Sequence, residues 1–293
     1  MDIRTLQYFL AVAREESITA AAQALHMTQP PLSRQMKDLE DELGKQLFIR
    51  GNRRVTLTDE GMILRKRAKE LISLMEITRA EISASGESLS GDIYIGGGET
   101  QKIRYIAKAI KQFQEKYPDV HFHLYSGHAN DMTERLDRGL LDFGIVIEPV
   151  DIQKYDYIRL PGVDVWGLLM PKDCPLAARS SIRPEDLLTL PIIFTNQSLA
   201  DNEFSGWMGG SFSQLNIVAT YDLLFNTSLL VEEGVGYALC LDKIISTGTD
   251  SPLTFRPLEP SLEAGLYLIW KKHQLFSKAA EAFLGRLLRG EMA

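Results

Sequence analysis

The sequence predicts a helical N-terminal unit that carries a β-hairpin, followed by a larger α/β part. Apolar residues recur every three or four positions through much of residues 1–90, as in amphipathic helices. From Asp92 onward, short apolar runs alternate with helical patterns, which is typical of an α/β fold with a mainly parallel sheet. The length of 293 residues fits about two domains of roughly 100–200 residues each.

Composition excludes several classes of protein. The chain is 45% apolar, as globular proteins are, and it lacks the run of about 18 apolar residues that a membrane helix needs. The first ten residues include Asp2 and Arg4 and no apolar stretch, so we expect no secretory signal and a cytoplasmic location. Cys174 and Cys240 form no CxxC motif, which excludes a disulfide scaffold and a cysteine-based zinc ribbon.

Charge is distributed unevenly along the chain. The net charge of −7 falls entirely in residues 91–293, while the first 90 residues balance 13 basic against 13 acidic side chains. The basic residues of this first part are clustered at Arg50 to Arg54 and at Arg65 to Lys69. Because salt screens distant charges, local patches decide binding, and an acidic protein can still have a DNA-binding N-terminus.

The first three helices are predicted from apolar spacing and capping residues. Ser17 is the expected N-cap of the second helix, whose Ala20–Ala22 run lets another helix approach closely. Gly44 is expected to end the third helix. The first helix shows one apolar face, formed by Leu6, Phe9, Leu10 and Ala13. The third helix shows an apolar stripe at i, i+4, i+7 and i+11, formed by Leu32, Met36, Leu39 and Leu43.

The start of the third helix is unusual. Thr28 stands where an N-cap would, but the amides that its hydroxyl would need belong to Pro30 and Pro31, which have none. We infer that Thr28 or Gln29 faces outward, free for another partner. At the far end of this helix, the acidic run 38–42 is expected to be a solvated face that keeps that end away from phosphate.

A hairpin and a long helix follow. Residues 47–57 predict two short strands around the turn dipeptide Gly51-Asn52. Thr58 is the expected N-cap of a helix that spans residues 58–90 and ends in a polar hinge. A heptad seam on this helix predicts a dimer contact; it consists of Leu64, Ala68, Leu71, Met75, Thr78 and Ile82.

The stretch SITAAAQALHMTQPPLSRQMKDLEDELGKQLFIRGNRRVTLTDEG, residues 17–61, resembles the LysR-type transcriptional regulators almost throughout. The segments GLLDFGIVI and VEEGVGYALC resemble that family's second domain more weakly. The resemblance implies a winged helix-turn-helix at 1–58, a dimerising linker helix and hinge at 59–90, and an effector-binding domain at 91–293. That domain would comprise two periplasmic-binding-protein-like α/β subdomains with a ligand cleft between them. The first would cover about 92–161 plus 267–293, and the second about 162–266.

In a helix-turn-helix, the second helix of the motif enters the major groove with its N-terminus first. Gln29 and Gln35 can pair with adenine edges, and Arg34 with guanine. Pro30 or Pro31 can contact a thymine methyl group. The predicted DNA-binding residues are Thr28, Gln29, Pro30, Pro31, Ser33, Arg34, Gln35 and Lys37, with Arg50, Arg53 and Arg54 at the hairpin tip. Of these, Ser33 and Lys37 are better placed for phosphate, and Arg53 and Arg54 for the backbone or minor groove.

The effector site is predicted around IGGGETQ, residues 95–101, where a strand leads into a helix. Similar family members use hydroxyl residues here, and Thr100 matches that role. Glu99 departs from the pattern: it either satisfies the helix dipole in solvent or, facing the cleft, favours a cationic or neutral effector. The predicted effector residues are Gly98, Glu99, Thr100 and Gln101, with Ser126, Gly127, Thr195 and Asn196 across or beside the cleft.

Other chemistry finds little support. His121, His123 and His128 lack a partner at metal-ligand spacing, so we predict no metal and no cofactor beyond the effector. The cysteine spacing does not match the thiol sensors of the family, and no nucleophile elbow or HExxH motif indicates an enzyme. The expected partners are double-stranded DNA, a small-molecule effector and further copies of the chain as a homodimer or homotetramer, with no membrane.

Two alternatives remain open. The chain could be a small-molecule-binding assembly protein without a specific operator, although assembly alone would not need Arg34, Arg53 and Arg54. It could also be a regulator whose α/β domain only oligomerises; Glu99 and Thr100 beside a glycine-rich helix start argue mildly against that.

Overall fold

The computed structural model describes residues 1–51, 54–83, 89–196, 200–210 and 212–290. The chain divides into two compact units, residues 1–83 and 84–293, which are described separately. Elements of the first unit, in chain order, are α1 (Ile3–Glu15), α2 (Ile18–Ala24), α3 (Gln29–Leu43), β1 (Phe48–Arg50), β2 (Val55–Leu57) and α4 (Asp59–Ser83).

Helices α1 to α3 pack around one apolar core, and the antiparallel β1–β2 hairpin lies beside them. The Ser17 hydroxyl accepts from the amide of Ala20 at 3.2 Å, as its predicted capping role requires. Gly44 ends α3 in the left-handed conformation, with φ of 64°. Three members of the predicted α3 stripe, Leu32, Met36 and Leu39, are buried, but Leu43 is 40% exposed, so the stripe stops one turn earlier than predicted.

Helix α4 begins as predicted, and the structure describes it as far as Ser83. The Thr58 hydroxyl accepts from the amide of Gly61 at 3.0 Å and donates to the carbonyl of Gln46 at 2.8 Å. This second bond fastens the helix start to the segment that precedes β1. The last part of the predicted helix, residues 84–88, lies outside the described residues.

The second unit comprises two open α/β subdomains, which confirms the predicted fold class. The first subdomain contains β3 (Gly91–Gly97), α5 (Ile103–Lys116), β4 (Val120–Ser126), α6 (Ala129–Asp137), β5 (Phe143–Ile147) and β6 (Tyr155–Arg159). The second contains β7 (Asp164–Pro171), α7 (Pro184–Leu187), β8 (Pro191–Thr195), α8 (Ala200–Trp207), β9 (Asn216–Tyr221), α9 (Leu224–Glu232), β10 (Tyr237–Leu241), β11 (Leu253–Pro257) and β12 (Glu263–Ala264). Then β13 (Leu266–Lys271) and α10 (Lys278–Leu288) return to the first.

The sheet order shows how the two subdomains are connected. The first sheet has the order β4-β3-β5-β13-β6, and the second has β11-β7-β10-β8-β9, with β12 paired to β7. Strands β4, β3 and β5 are parallel, and β13 runs antiparallel to its neighbours. The chain therefore crosses between the sheets twice, after β6 and before β13. In α/β sheets, ligands bind beyond the carboxyl ends of the parallel strands, which here places Gly97 and Ser126 at the candidate site.

Candidate functional site

The outward face of α3 forms the first candidate surface. Thr28, Gln29, Pro30, Pro31, Arg34, Gln35 and Lys37 are exposed, and Ser33 is half-buried. Buried Leu32, Met36 and Leu39 hold the opposite face of the helix against the core. Among the described residues, the side chains of Gln29, Ser33, Arg34, Gln35 and Lys37 form no hydrogen bond or ion pair within the chain. Their donors and acceptors are therefore directed at solvent or at a partner.

The beginning of α3 matches the inference from its prolines. Thr28 occupies the N-cap position with ψ of 152°, and its side chain makes no capping hydrogen bond. The Thr28 hydroxyl is therefore free to bind a group outside the chain.

The hairpin tip is only partly described. Arg54 is exposed, and its guanidinium lies 3.6 Å from the carboxylate of Glu16. Arg53 and the side chain of Arg50 lie outside the described residues. An exposed ion pair of this kind contributes little to stability, so Arg54 remains available to a phosphate.

The acidic end of α3 differs from expectation at Glu40. This residue is half-buried rather than solvated, and its Oε1 accepts from the amides of Leu47 at 2.8 Å and Phe48 at 3.1 Å. Because Phe48 begins β1 and Leu47 directly precedes it, Glu40 joins the end of α3 to the hairpin. The interpretation of the whole acidic run as a solvated face is wrong at this position.

The predicted dimer seam on α4 also needs correction. Ala68 is fully buried in the core of its own unit, and Leu64 packs against that core, so these two side chains are used within the chain. Met75 is half-buried. The early part of this helix face therefore packs within the chain, whereas Leu71 and Ile82 farther along the same face are exposed. The exposed apolar residues of α4 are Met62, Ile63, Leu71, Leu74 and Ile82.

A cavity of about 260 Å³ lies beside the carboxyl ends of β3 and β4. It brings together Gly98, Glu99, Thr100, Gln101 and Ser126 of the predicted effector residues. Gly127 is adjacent, and its amide donates to the carbonyl of Gly97 at 3.1 Å. The second subdomain contributes Lys243 and Ile244, which sequence reasoning missed because they follow β10 and belong to no recognised motif.

Glu99 connects the two subdomains. Its carboxylate accepts a hydrogen bond from the backbone amide of Leu224, the first residue of α9. A carboxylate is stabilised at a helix N-terminus by the free amides and the helix dipole. Glu99 therefore faces the cleft, as one of the two interpretations held, but the helix whose dipole it satisfies belongs to the opposite subdomain.

Thr100 makes a second contact between the subdomains. It is 6% exposed, and its hydroxyl donates to Oδ2 of Asp164, a fully buried residue at the start of β7. The Thr100 oxygen also accepts from the amide of Lys102 at 3.0 Å. Burial raises the pKa of the Asp164 carboxyl, the Thr100 hydrogen bond opposes that rise, and the charge of Asp242 adds to it. Asp164 is a site residue that sequence reasoning missed.

The structure does not bring Thr195 and Asn196 to this cavity. The Asn196 amide donates to Asp222 at 2.9 Å, and Asp222 lies 3.7 Å from Nε2 of His128, which belongs to the other subdomain. Asn196, Asp222 and His128 therefore mark a second contact between the two subdomains, separate from the cavity.

Glu148 fastens the return crossing to the first subdomain. Its Oε2 accepts from the amide of Gly265 at 2.8 Å, and its Oε1 accepts from the hydroxyl of Tyr267. Because Gly265 lies between β12 and β13, Glu148 joins the end of β5 to the return crossing.

The surroundings of the histidine and cysteine side chains bear on metal and thiol chemistry. Nε2 of His123 lies 2.8 Å from Asp92, and its ring stacks on Tyr94. Among the described residues, no group of three or more His, Cys, Asp or Glu side chains could hold a metal ion. Cys240 is buried, which raises the pKa of its thiol, and Cys174 donates to the Tyr237 hydroxyl at 3.5 Å. Within the described segments, no helix has the length and apolar character needed to cross a membrane.

Comparison with known proteins identifies the family. The family model described as the LysR substrate binding domain matches residues 86–291. The model described as the bacterial regulatory helix-turn-helix protein, lysR family, matches residues 3–62.

Relatives and solved structures agree with these matches. The HTH-type transcriptional regulator BsdA of Bacillus subtilis is 32% identical over 66% of this chain and 66% of its own. The HTH-type transcriptional regulator IlvY of Escherichia coli is 29% identical over 87% of this chain and 86% of its own. The crystal structure of full-length CbnR complexed with its target DNA has the same fold, with a TM-score of 0.76 at 18% identity over 99% of both chains. The chain belongs to the LysR family of transcriptional regulators, with an N-terminal DNA-binding domain followed by an effector-binding domain.

Proposed function

We propose that α3 reads operator bases in the major groove and that a small molecule in the cleft modulates this binding. The observation that carries the proposal is the row of polar side chains along α3, from Gln29 to Lys37, which have no partner among the described residues and are exposed except for half-buried Ser33. Arg34 binds guanine through two hydrogen bonds, Gln29 and Gln35 bind adenine, and Ser33 and Lys37 bind phosphate. The free hydroxyl of Thr28 adds a further contact at the helix start.

The hairpin supplies contacts to DNA that do not depend on the base sequence. Arg54, with Arg53 and Arg50, follows the sugar-phosphate backbone or the minor groove beside the site of α3. Each phosphate contact displaces counterions, so binding weakens steeply as salt rises.

Two copies of the chain pair through α4. Leu71, Leu74 and Ile82 are 42%, 38% and 77% exposed, an apolar row that a second helix would cover. Pairing would place two copies of α3 on successive major grooves. Because chromosomal DNA is the partner, we place the protein in the cytoplasm, where it regulates transcription and catalyses no reaction.

The cleft supplies the regulatory input. Glu99 and Thr100 contact both the cavity and the opposite subdomain, so a ligand bound there changes how the subdomains are held together. By linkage, an effector that changes DNA affinity has its own affinity changed by DNA by the same factor.

Binding to DNA from immediately upstream of the protein's own gene tests the proposal. Purified protein is titrated with that duplex and with a random duplex of equal length at several salt concentrations. We expect a preference of about 10³-fold or more, together with a steep salt slope. If the protein shows no preference for the upstream duplex, the fragments that it binds are selected from a library of genomic DNA. Equal, weak binding to every fragment would support an assembly protein without an operator instead.

A further inference from the structure

The cavity beside β3 and β4 is small and has a hydrocarbon wall. Its volume of about 260 Å³ lies below the roughly 300–1,000 Å³ of sites for drug-sized ligands. Aliphatic side chains from both subdomains form much of the wall, and they are Ile95, Ile103, Leu124, Ile145 and Ile244. Such a wall favours a short aliphatic chain, because burial removes apolar surface from water.

The polar part of the wall includes two oxygens that can each accept a further hydrogen bond. The Thr100 hydroxyl donates to Asp164 and its oxygen accepts from the amide of Lys102, so it offers any further group only its second lone pair. Glu99 uses Oε2 to accept from Leu224, and its Oε1 has no hydrogen-bond donor among the described residues. A ligand that donates hydrogen bonds complements both oxygens. A carboxylate placed against these two oxygens would instead bring acceptor atoms into contact with acceptor atoms.

Charge around the cavity points the same way. The ammonium group of Lys243 lies 2.8 Å from Oδ2 of Asp242, which neutralises it. Burial raises the pKa of Asp164, the positive charge of Lys102 lowers it, and Oδ1 of this carboxyl is buried and has no hydrogen-bond partner among the described residues. Of the residues that line the cavity, Glu99 carries a carboxylate, and Lys243 carries an ammonium group that is already paired with Asp242. The negative charge of Glu99 is therefore left uncompensated at the cavity wall, which favours a cationic ligand over an anionic one.

We propose that the effector of this protein is a short aliphatic amine. Its ammonium group donates to Oε1 of Glu99 and to the Thr100 oxygen, and its hydrocarbon chain lies along the isoleucine-rich wall. Asp164 acts as a positioning residue, because it holds the Thr100 hydroxyl in the orientation that makes its oxygen an acceptor. This inference rests on the proposed role of the cleft as the effector site.

A matched series of six-carbon probes tests the proposal. Hexylamine, 6-aminohexanoate and hexanoate have the same chain length and differ only in their charged ends. Binding of each to the full chain is measured by calorimetry at neutral pH. We expect hexylamine to bind with a Kd of about 1 mM, which is reasonable for a ligand of this size, and hexanoate to bind at least about tenfold more weakly.

Variants then locate the bound amine. Glu99→Gln and Thr100→Val should each weaken hexylamine binding at least about tenfold, since each removes an acceptor or a charge. Glu115→Gln, an exposed carboxylate near the far end of α5, should leave binding unchanged. Tighter binding of hexanoate than of hexylamine would overturn the proposal but keep the cleft as an effector site. Failure of hexylamine to bind at about 20 mM, or equal binding to all variants, would also overturn it. Operator binding is measured without ligand, so a failure of the DNA-reading function remains distinguishable.

Discussion

The hydroxyl of Thr100, on the first subdomain, donates a hydrogen bond to the buried carboxylate of Asp164, on the second. The two residues are 64 positions apart in the chain. The other oxygen of Asp164, Oδ1, is buried and receives no hydrogen bond within the described residues. An ionised carboxylate in this position destabilises the folded state, which is compatible with a functional role for Asp164 rather than a structural one.

Asp164→Asn should therefore stabilise the ligand-free protein. Burial raises the pKa of Asp164, so its ionised form disfavours folding. That penalty is absent below the ordinary pKa of 3.8 and grows as pH rises through the raised value in the folded protein. Thermal unfolding at neutral pH should show a Tm higher by roughly 2–4 °C, which corresponds to about 1 kcal/mol in a domain of this size. The difference should shrink toward pH 4.

Asp156→Asn is the matched control, because Asp156 is exposed on β6. Its Tm should match that of the parent at every pH. A lower Tm for Asp164→Asn at neutral pH would show that the ionised carboxylate stabilises the junction, contrary to this account.

Glu40→Ala should destabilise the DNA-binding unit. The change leaves the amides of Leu47 and Phe48 without their charged acceptor, at a cost of about 1–3 kcal/mol. Glu40→Gln, which keeps one side-chain oxygen, should recover part of the loss. Chemical denaturation of each variant measures the effect. Asp38→Ala, an exposed neighbour on the same helix, provides the control, and an equal loss from both alanine variants would refute the proposed connection.

Gly61→Ala should destabilise the first unit although alanine is the better helix former. A Cβ at this position would lie 2.2 Å from the carbonyl oxygen of Leu47, so the start of α4 would have to shift. Overpacking of this kind costs about 1–3 kcal/mol, more than the ~1 kcal/mol that alanine gains within a helix. Gly206→Ala, with no atom within 4 Å of its added Cβ, is the control and should be neutral or stabilising. Unchanged unfolding of Gly61→Ala would contradict the close packing.

Local chemistry explains why the DNA-binding unit was largely predictable from its sequence. Ser17, Gly44 and Thr58 act at helix ends through bonds to residues a few positions away, and the α3 stripe follows from helical periodicity. The errors arose where spacing alone could not distinguish packing within the chain from packing against a partner, as at Ala68, or where a side chain met a distant backbone group, as at Glu40.

The effector cleft was predictable only in part. The glycine-rich helix start at Gly98 to Gln101 is a local signal, and it does line the cavity. The partners of Glu99 and Thr100 lie 125 and 64 positions away, where two subdomains meet, and no periodicity encodes such contacts. Asp164, Leu224 and Lys243 therefore became visible only in the structure.

The central claim, that α3 reads DNA bases, is tested most directly by Arg34→Ala. Affinities of the parent and the variant are compared on the operator, on operators with a single substituted base pair, and on random DNA. Lys37→Ala tests a predicted phosphate contact in parallel, and Lys108→Ala, an exposed lysine on α5, is the control.

The account predicts that Arg34→Ala weakens operator binding by about 1–3 kcal/mol, relaxes the preference at one base position and leaves random-DNA affinity nearly unchanged. Lys37→Ala should weaken binding to all sequences and reduce the salt slope by about one. If Arg34→Ala instead lowered operator and random-DNA affinity by the same factor, Arg34 would contact only the backbone, and base reading by this face of α3 would be contradicted.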